Sequence, residues 1–156
     1  MNKKLRKGSA VLLLLPLVLV PIGGCSALPF VGGGTPTVQM RIAGQSDMNS
    51  GGNAAVVRVY QLSGETNFKR TPLSTFWRND QEALGGELVR QKEVLLYPDE
   101  TKTFELDVAE TASHIGIAAN LRDPDQEQWR AIYPVGALED GTTTATVLAN
   151  RIEVDR

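Results

Sequence analysis

From residue 35 to residue 154 most of the chain alternates apolar and polar positions with period two, the pattern of strands that bury one face. Residues 35–44, "TPTVQMRIAG", put Val38, Met40 and Ile42 on one side and Gln39 and Arg41 on the other. Residues 54–62, "AAVVRVYQL", separate Val57 and Val59 from Arg58 and Tyr60. "KEVLLYP" at 92–98 is a short, nearly continuous apolar run and predicts a central strand. "ETKTFELDV" points Phe104, Leu106 and Val108 inward, and "SHIGIAANLRD" does so with Ile115, Ile117, Ala119 and Leu121. "EQWRAIYPV" supplies Trp129, Ala131 and Tyr133, and "TTATVLANRIEV" closes the chain with Leu148, Ile152 and Val154. The turns between them are ordinary, "YPDET", "RDPDQ" and "LEDGTT", with "DPD" and "EDG" suited to tight connections between antiparallel neighbours. About seven short strands at this spacing predict an all-β, two-sheet sandwich.

Period two fails over residues 65–90, "ETNFKRTPLSTFWRNDQEALGGELVR". Thr71 reads as an N-cap with Pro72 at the first helical position, and Leu73, Phe76 and Trp77 form one apolar stripe at helical spacing. "NDQEALGG" offers a second cap, an acidic first turn and glycines at the exit. Two short helices are predicted, with the stripe on the side or end of the sandwich; an exposed aromatic docking site is the alternative.

The connection at 44–55, "GQSDMNSGGNAA", is too long and polar for a minimal hairpin, whose loops have about 2 to 5 residues. It reads either as a mobile loop that touches nothing or as a functional loop whose exposed, flexible Met48 fills a partner's groove.

Ahead of the sandwich, "MNKKLRK" carries four positive charges and residues 8–20 are apolar or small throughout. The apolar run is shorter than the ~20 residues a spanning helix needs, and Pro16 and Pro21 interrupt it. A basic head, an apolar run and the small-residue exit "PIGG" describe an export signal. "IGGC" resembles the bacterial lipobox, with isoleucine where leucine is usual, and implies a diacylglycerol on the sulfur of Cys25, the chain's one cysteine. Residues 1–24 then read as a lipoprotein signal peptide and residues 25–35 as a lipidated tether made flexible by three consecutive glycines. Residues 36–156 are left as the sandwich domain. Ser26, where aspartate would favour inner-membrane retention, implies by resemblance to lipoprotein sorting an outer-membrane, periplasm-facing location.

Removing the signal leaves 12 Lys+Arg against 18 Asp+Glu, a net charge near −6. Dispersed acidic charge makes a poor nucleic-acid binder. A single cysteine allows no intramolecular disulfide, so stability must come from packing. No residue set for catalysis emerges: His114 is the only histidine, Asp123 and Asp125 bracket a proline turn, and "VGGGTP" lacks the lysine of a phosphate loop. No enzyme activity, metal, cofactor or small-molecule substrate is expected.

Four blocks in order behind the lipobox resemble the outer-membrane lipoproteins of type VI secretion, the TssJ (SciN) family. They are "VVRVYQL" at 56–62, "FKRTPLSTFWRNDQEALGGELV" at 68–89, "KEVLLYPDETKTFEL" at 92–106 and "IGIAANLRDPDQEQWRAIYPV" at 115–135. The resemblance implies a transthyretin-like β-sandwich with a short helical insertion. It also implies binding to the periplasmic C-terminal domain of the inner-membrane protein TssM, and through it a link to TssL. The family's partner loop, carried onto this chain, is the 44–55 connection, with Gln45, Ser46, Asp47, Met48, Asn49 and Ser50 as the contact residues. The competing readings are an outer-membrane lipoprotein whose sandwich binds a small ligand or peptidoglycan in a concave pocket, and, more remotely, a periplasmic hydrolase dependent on His114.

Overall fold

Period-two alternation becomes two four-stranded sheets packed face to face. The computed structural model describes residues 37–125, 128–138 and 142–155, so the signal, Cys25 and the tether lie outside the described residues. One sheet has the order β4-β1-β7-β8 and the other β3-β2-β5-β6. The strands are β1 (Thr37–Gly44), β2 (Ala55–Leu62), β3 (Leu88–Leu96), β4 (Thr101–Asp107), β5 (His114–Ala119), β6 (Arg130–Pro134), β7 (Thr142–Val147) and β8 (Ile152–Asp155). Every pairing is antiparallel except β1 with β7, which is parallel. Between the sheets lie Val38, Met40, Ile42, Val57, Val59, Ile115, Ile117, Ala145 and Val147, all essentially without solvent exposure. All but Ala145 and Val147 are residues that alternation places on the inner faces; in the last segment the structure buries those two where Leu148 was expected.

The differences from expectation have local causes. "TTATVLANRIEV" is two strands, because the chain turns at 148–151 and pairs Val147 with Ile152. Leu148 therefore belongs to a turn. "KEVLLYP" is not central: β3 is an edge strand, and its run of apolar residues leaves Leu95 45% exposed. The flanking strands of the expected "EDG" turn, β6 and β7, lie in different sheets and are not antiparallel neighbours; residues 139–141 themselves lie outside the described residues. The 44–55 connection likewise crosses from one sheet to the other, which is why it exceeds hairpin length.

The insertion forms α2 (Thr66–Arg70), α3 (Leu73–Arg78), α4 (Asp80–Leu84) and a 3-10 turn at Gly85–Glu87, one helix more than expected. Thr71 does not cap α3. Its hydroxyl donates to the Asn67 carbonyl at the end of α2, and Pro72 occupies the N-cap position of α3. Asn79 does cap α4, accepting from the Glu82 amide at 3.3 Å. Rather than the side or end of the sandwich, the helices cover the outer face of β2 and β5. There Tyr60, Phe68 and Phe76 meet edge to face at centroid distances of 5.5 to 5.7 Å, and Trp129 lies 5.1 Å from Phe76. This second core explains why β2 is buried on both faces at Tyr60 and Leu62.

Gly116 on β5 permits that layer to close. A Cβ there would stand 2.8 Å from the Phe68 ring and 3.2 Å from Leu62. Gly116→Ala is expected to lower stability by about 1–3 kcal/mol, because the pinned aromatic cluster cannot yield without leaving its rotamers. Thermal unfolding should show a fall of roughly 5–15 °C. An unchanged melting temperature would mean that the helical layer is loosely held.

Candidate functional site

The 44–55 connection is built, not free. Gly44 ends β1 with its backbone pressed against the β3–β4 turn: a Cβ would lie 2.6 Å from the Tyr97 carbonyl oxygen and against the Met48 sulfur. Met48 follows Gln45, Ser46 and Asp47 and is fully buried. This corrects the expectation of an exposed, flexible methionine; an apolar side chain at this position fills the end of the core and offers nothing to a groove.

Residues Met48–Gly51 form one short helical turn, α1, and the backbone through it is left-handed. Asn49, Ser50, Gly51 and Gly52 have φ of 49°, 58°, 94° and 80°. Each such L-residue costs about 1–2 kcal/mol, which asparagine reduces and glycine avoids. The sequence "NSGG" suits the shape at all but Ser50. Hydrogen bonds hold the turn. The Asn49 amide donates to Leu148 and that of Ser50 to Ala149, at 3.0 and 2.8 Å. The Asn49 side chain donates to the Ala54 carbonyl and accepts from the Arg122 amide at 2.7 Å. Asn49, 4% exposed, is thus a tie between three connections. Of the six residues assigned to a partner surface, Gln45, Ser46, Asp47 and Ser50 are exposed, and Met48 and Asn49 support them from beneath.

Four connections gather at this end. The β1–β2 connection touches the β3–β4 turn through Gly44 N–H to the Glu100 carbonyl at 2.9 Å. It touches the β7–β8 turn and the segment after β5 through the bonds given above. The opposite end of β1, where the chain arrives at Thr37, pairs with Asp107. Entry and exposed connection therefore lie at the two ends of one strand.

Behind the site stands a polar clamp absent from the alternation pattern. Asp80, 7% exposed at the start of α4, accepts from Arg58 at 2.9 Å and from the Tyr60 hydroxyl at 2.7 Å. Arg58 also pairs with Glu93 at 2.8 Å and lies over the Trp77 ring. Burial, then the bond to Asp80, drives the Tyr60 phenol far above its usual range. Gln61, 3% exposed, donates to the Asp107 carbonyl and accepts from the Ala109 amide at 2.9 and 2.8 Å, stitching one sheet to the other. The Arg130 guanidinium donates to the carbonyls of Phe68, Lys69 and Thr71, satisfying the open end of α2. In the sequence, Arg58, Tyr60, Asp80 and Arg130 stood out only as members of longer blocks; a charged residue inside a strand otherwise buried on both faces was the available signal.

His114 sits at the start of β5 with Nδ1 2.8 Å from the Ser113 Oγ and Nε2 3.6 Å from Glu65. The Ser113 hydroxyl is 3.0 Å from the Ser63 carbonyl, to which it can only donate. The Ser63 carbonyl thus competes with the imidazole for the one hydroxyl proton. An open cleft of about 270 Å³ runs between the edge strands β3 and β4, with Arg90, Lys92, Glu105 and Asp107 around Val59 and Leu106. Lys92 points inward over Phe104 at 4.7 Å, a charge that discourages another strand from adding to this edge. Among the described residues, no group of three metal-ligating side chains is placed to hold an ion.

A model of the family described as type VI secretion lipoprotein, VasD, EvfM, TssJ, matches residues 36–155. Among solved structures, the T6SS lipoprotein TssJ1 from Pseudomonas aeruginosa is similar at 27% identity and a TM-score of 0.68, over 78% of this chain and 95% of that one. A chain of a type VI membrane complex is similar at 25% identity and a TM-score of 0.71, over 78% and 98%. A chain in the structure of the T6SS protein TssM C-terminal domain from EAEC shares the fold at 24% identity and a TM-score of 0.69, over 77% and 98%. No curated protein matches the chain by sequence.

Proposed function

Because the chain belongs to the type VI secretion lipoprotein family, we propose that it is the outer-membrane anchor of that system's envelope complex and that its β1–β2 connection binds the periplasmic C-terminal domain of TssM. Through TssM it joins TssL in the inner membrane. The observation that carries this reading is the family match over residues 36–155, the whole sandwich. In it, residues 1–24 direct export, lipidated Cys25 fixes the chain to the periplasmic face of the outer membrane, residues 25–35 form the tether, and residues 36–156 form the docking domain. The lipoprotein is a connector and performs no chemistry.

The geometry supports this division of labour. The tether joins β1 at Thr37, and the exposed connection leaves β1 at Gly44, at the other end of this eight-residue strand and about 23 Å away. Confinement of both partners to facing membranes raises their effective concentration, so modest affinity suffices.

The test uses the full-length lipidated chain in detergent and the TssM periplasmic domain of the same bacterium, with binding followed by interferometry. Shortening the connection is a poor probe, since it would remove Met48 and Asn49 from the structure's support. Changing only the exposed residues, Gln45→Ala, Ser46→Ala, Asp47→Ala and Ser50→Gly together, is expected to weaken binding at least about tenfold. Stability should stay within about 0.5 kcal/mol. Equal binding by parent and variant removes the connection from the interface, and failure of the parent to bind overturns the proposed partner.

A further inference from the structure

We propose that the β3–β4 turn forms the second half of the surface that docks TssM, with Tyr97 as its aromatic anchor and Leu95 beside it; this rests on the reading above. Among the described residues, the large hydrophobic side chains left exposed are Leu95 at 45% and Tyr97 at 52%. They are two positions apart at the end of β3 and so share a face. One rung beyond Arg58, where the helical layer's clamp ends, Leu95 pairs with Val56, which is only partly covered. An aromatic and a leucine next to each other in water are the kind of residues that anchor interfaces.

The turn that carries Tyr97 is rigid. The Glu100 amide donates to the Tyr97 carbonyl at 3.2 Å, and the Tyr97 amide donates to the Glu100 carboxylate at 3.0 Å. Pro98 sets the next position, and Asp99 takes φ 58°, where glycine would be unstrained. The non-glycine residues with positive φ are Asn49, Ser50 and Asp99, so among the described residues this strain is confined to the β1–β2 and β3–β4 connections. Strained backbone held by its surroundings is characteristic of ligand clamps. A preset aromatic loses little freedom on binding.

Continuity chooses the occupant. Gly44 bonds to Glu100, and a Cβ on Gly52 would touch the Pro98 ring, so the turn and the β1–β2 connection are one surface. A partner seated on Gln45, Ser46 and Asp47 meets Tyr97 as its neighbour. The rim is acidic, with Asp47 and Asp99 both exposed. The matching TssM surface is then an apolar socket bordered by basic groups.

The same interferometry decides it. With the full-length chain, Tyr97→Ala is expected to weaken binding about tenfold or more and Leu95→Ser about threefold or more, with Tyr97→Phe close to the parent. Arg78→Ala, on the exposed surface of α3, serves as the unchanged control. Thermal unfolding confirms that the variants are folded. If the parent binds and the β1–β2 variant does not, yet Tyr97→Ala and Leu95→Ser bind within twofold of the parent, the β3–β4 turn is outside the interface and only this inference falls. If the parent does not bind, both readings fall. If Tyr97→Ala instead abolishes a dimer seen by sedimentation and leaves TssM binding intact, the patch serves a second copy of the chain and the inference is overturned.

Discussion

Asp80→Ala is expected to destabilise the domain by about 3 kcal/mol, because it leaves Arg58 and Tyr60 facing a partly buried space without their shared acceptor. The number lies at the low end for a broken buried pair, since the Arg58 side chain keeps 21% of its exposure and retains Glu93. Asp80→Asn should lose less, as the amide oxygen still accepts the Tyr60 proton. Urea titration of the two variants reads the difference directly. A double replacement, Arg58→Met with Asp80→Leu, removes both charges and should recover part of the loss. Full additivity of the single losses would mean that the residues do not act as a pair.

The Tyr60 phenol gives the clamp a pH signature. Its pKa is raised by folding, so the folded state holds the proton more tightly than the unfolded chain. The contribution is fully present below the unfolded phenol's value of about 10 and is lost as pH rises beyond it. Tyr60→Phe should flatten this alkaline limb while lowering stability at neutral pH. A limb unchanged in that variant assigns the alkaline loss to another group.

Cys25→Ser carries the largest expected effect on function: loss of lipid labelling and of outer-membrane fractionation. Each buried methylene contributes about 0.8 kcal/mol, so the two or three long chains of the proposed anchor would hold the protein permanently, and their loss would release it. Under the proposed function, a form of residues 26–156 exported behind an ordinary cleavable signal should be soluble in the periplasm and still bind TssM. Labelling with a radioactive fatty acid followed by density fractionation makes the measurement. Cys25→Ser protein that co-sediments with the outer membrane as the parent does would show that something other than the thioether anchors it.

Alternation alone was enough for the sandwich, since Val38, Met40 and Ile42 or Ile115 and Ile117 can share a face in only one register of a strand. Helical spacing and capping chemistry were enough for the Asn79 cap and the Leu73, Phe76 and Trp77 stripe, which depend on neighbours in sequence. The hydrophobic pattern misplaced "KEVLLYP", because an apolar run says that a strand is hydrophobic but not which strands flank it. It misjudged Met48, because a run of polar and small residues looks solvated, whereas Met48 turns inward beside Gly44, at a point where the end of β3 also closes in through Leu96 and the Tyr97 carbonyl.

By itself the sequence determined the two-sheet sandwich, the inner faces of β1, β2 and β5, and the family, all of which depend on residue type and short spacing. The tertiary structure alone decided that the helices roof β2 and β5, that Asp80 reaches Arg58 and Tyr60, and that Tyr97 stands beside the β1–β2 connection. Those contacts join residues that are tens of positions apart. No local period encodes such a meeting; it is fixed only when two sheets and a helical layer must all close over apolar surface at once.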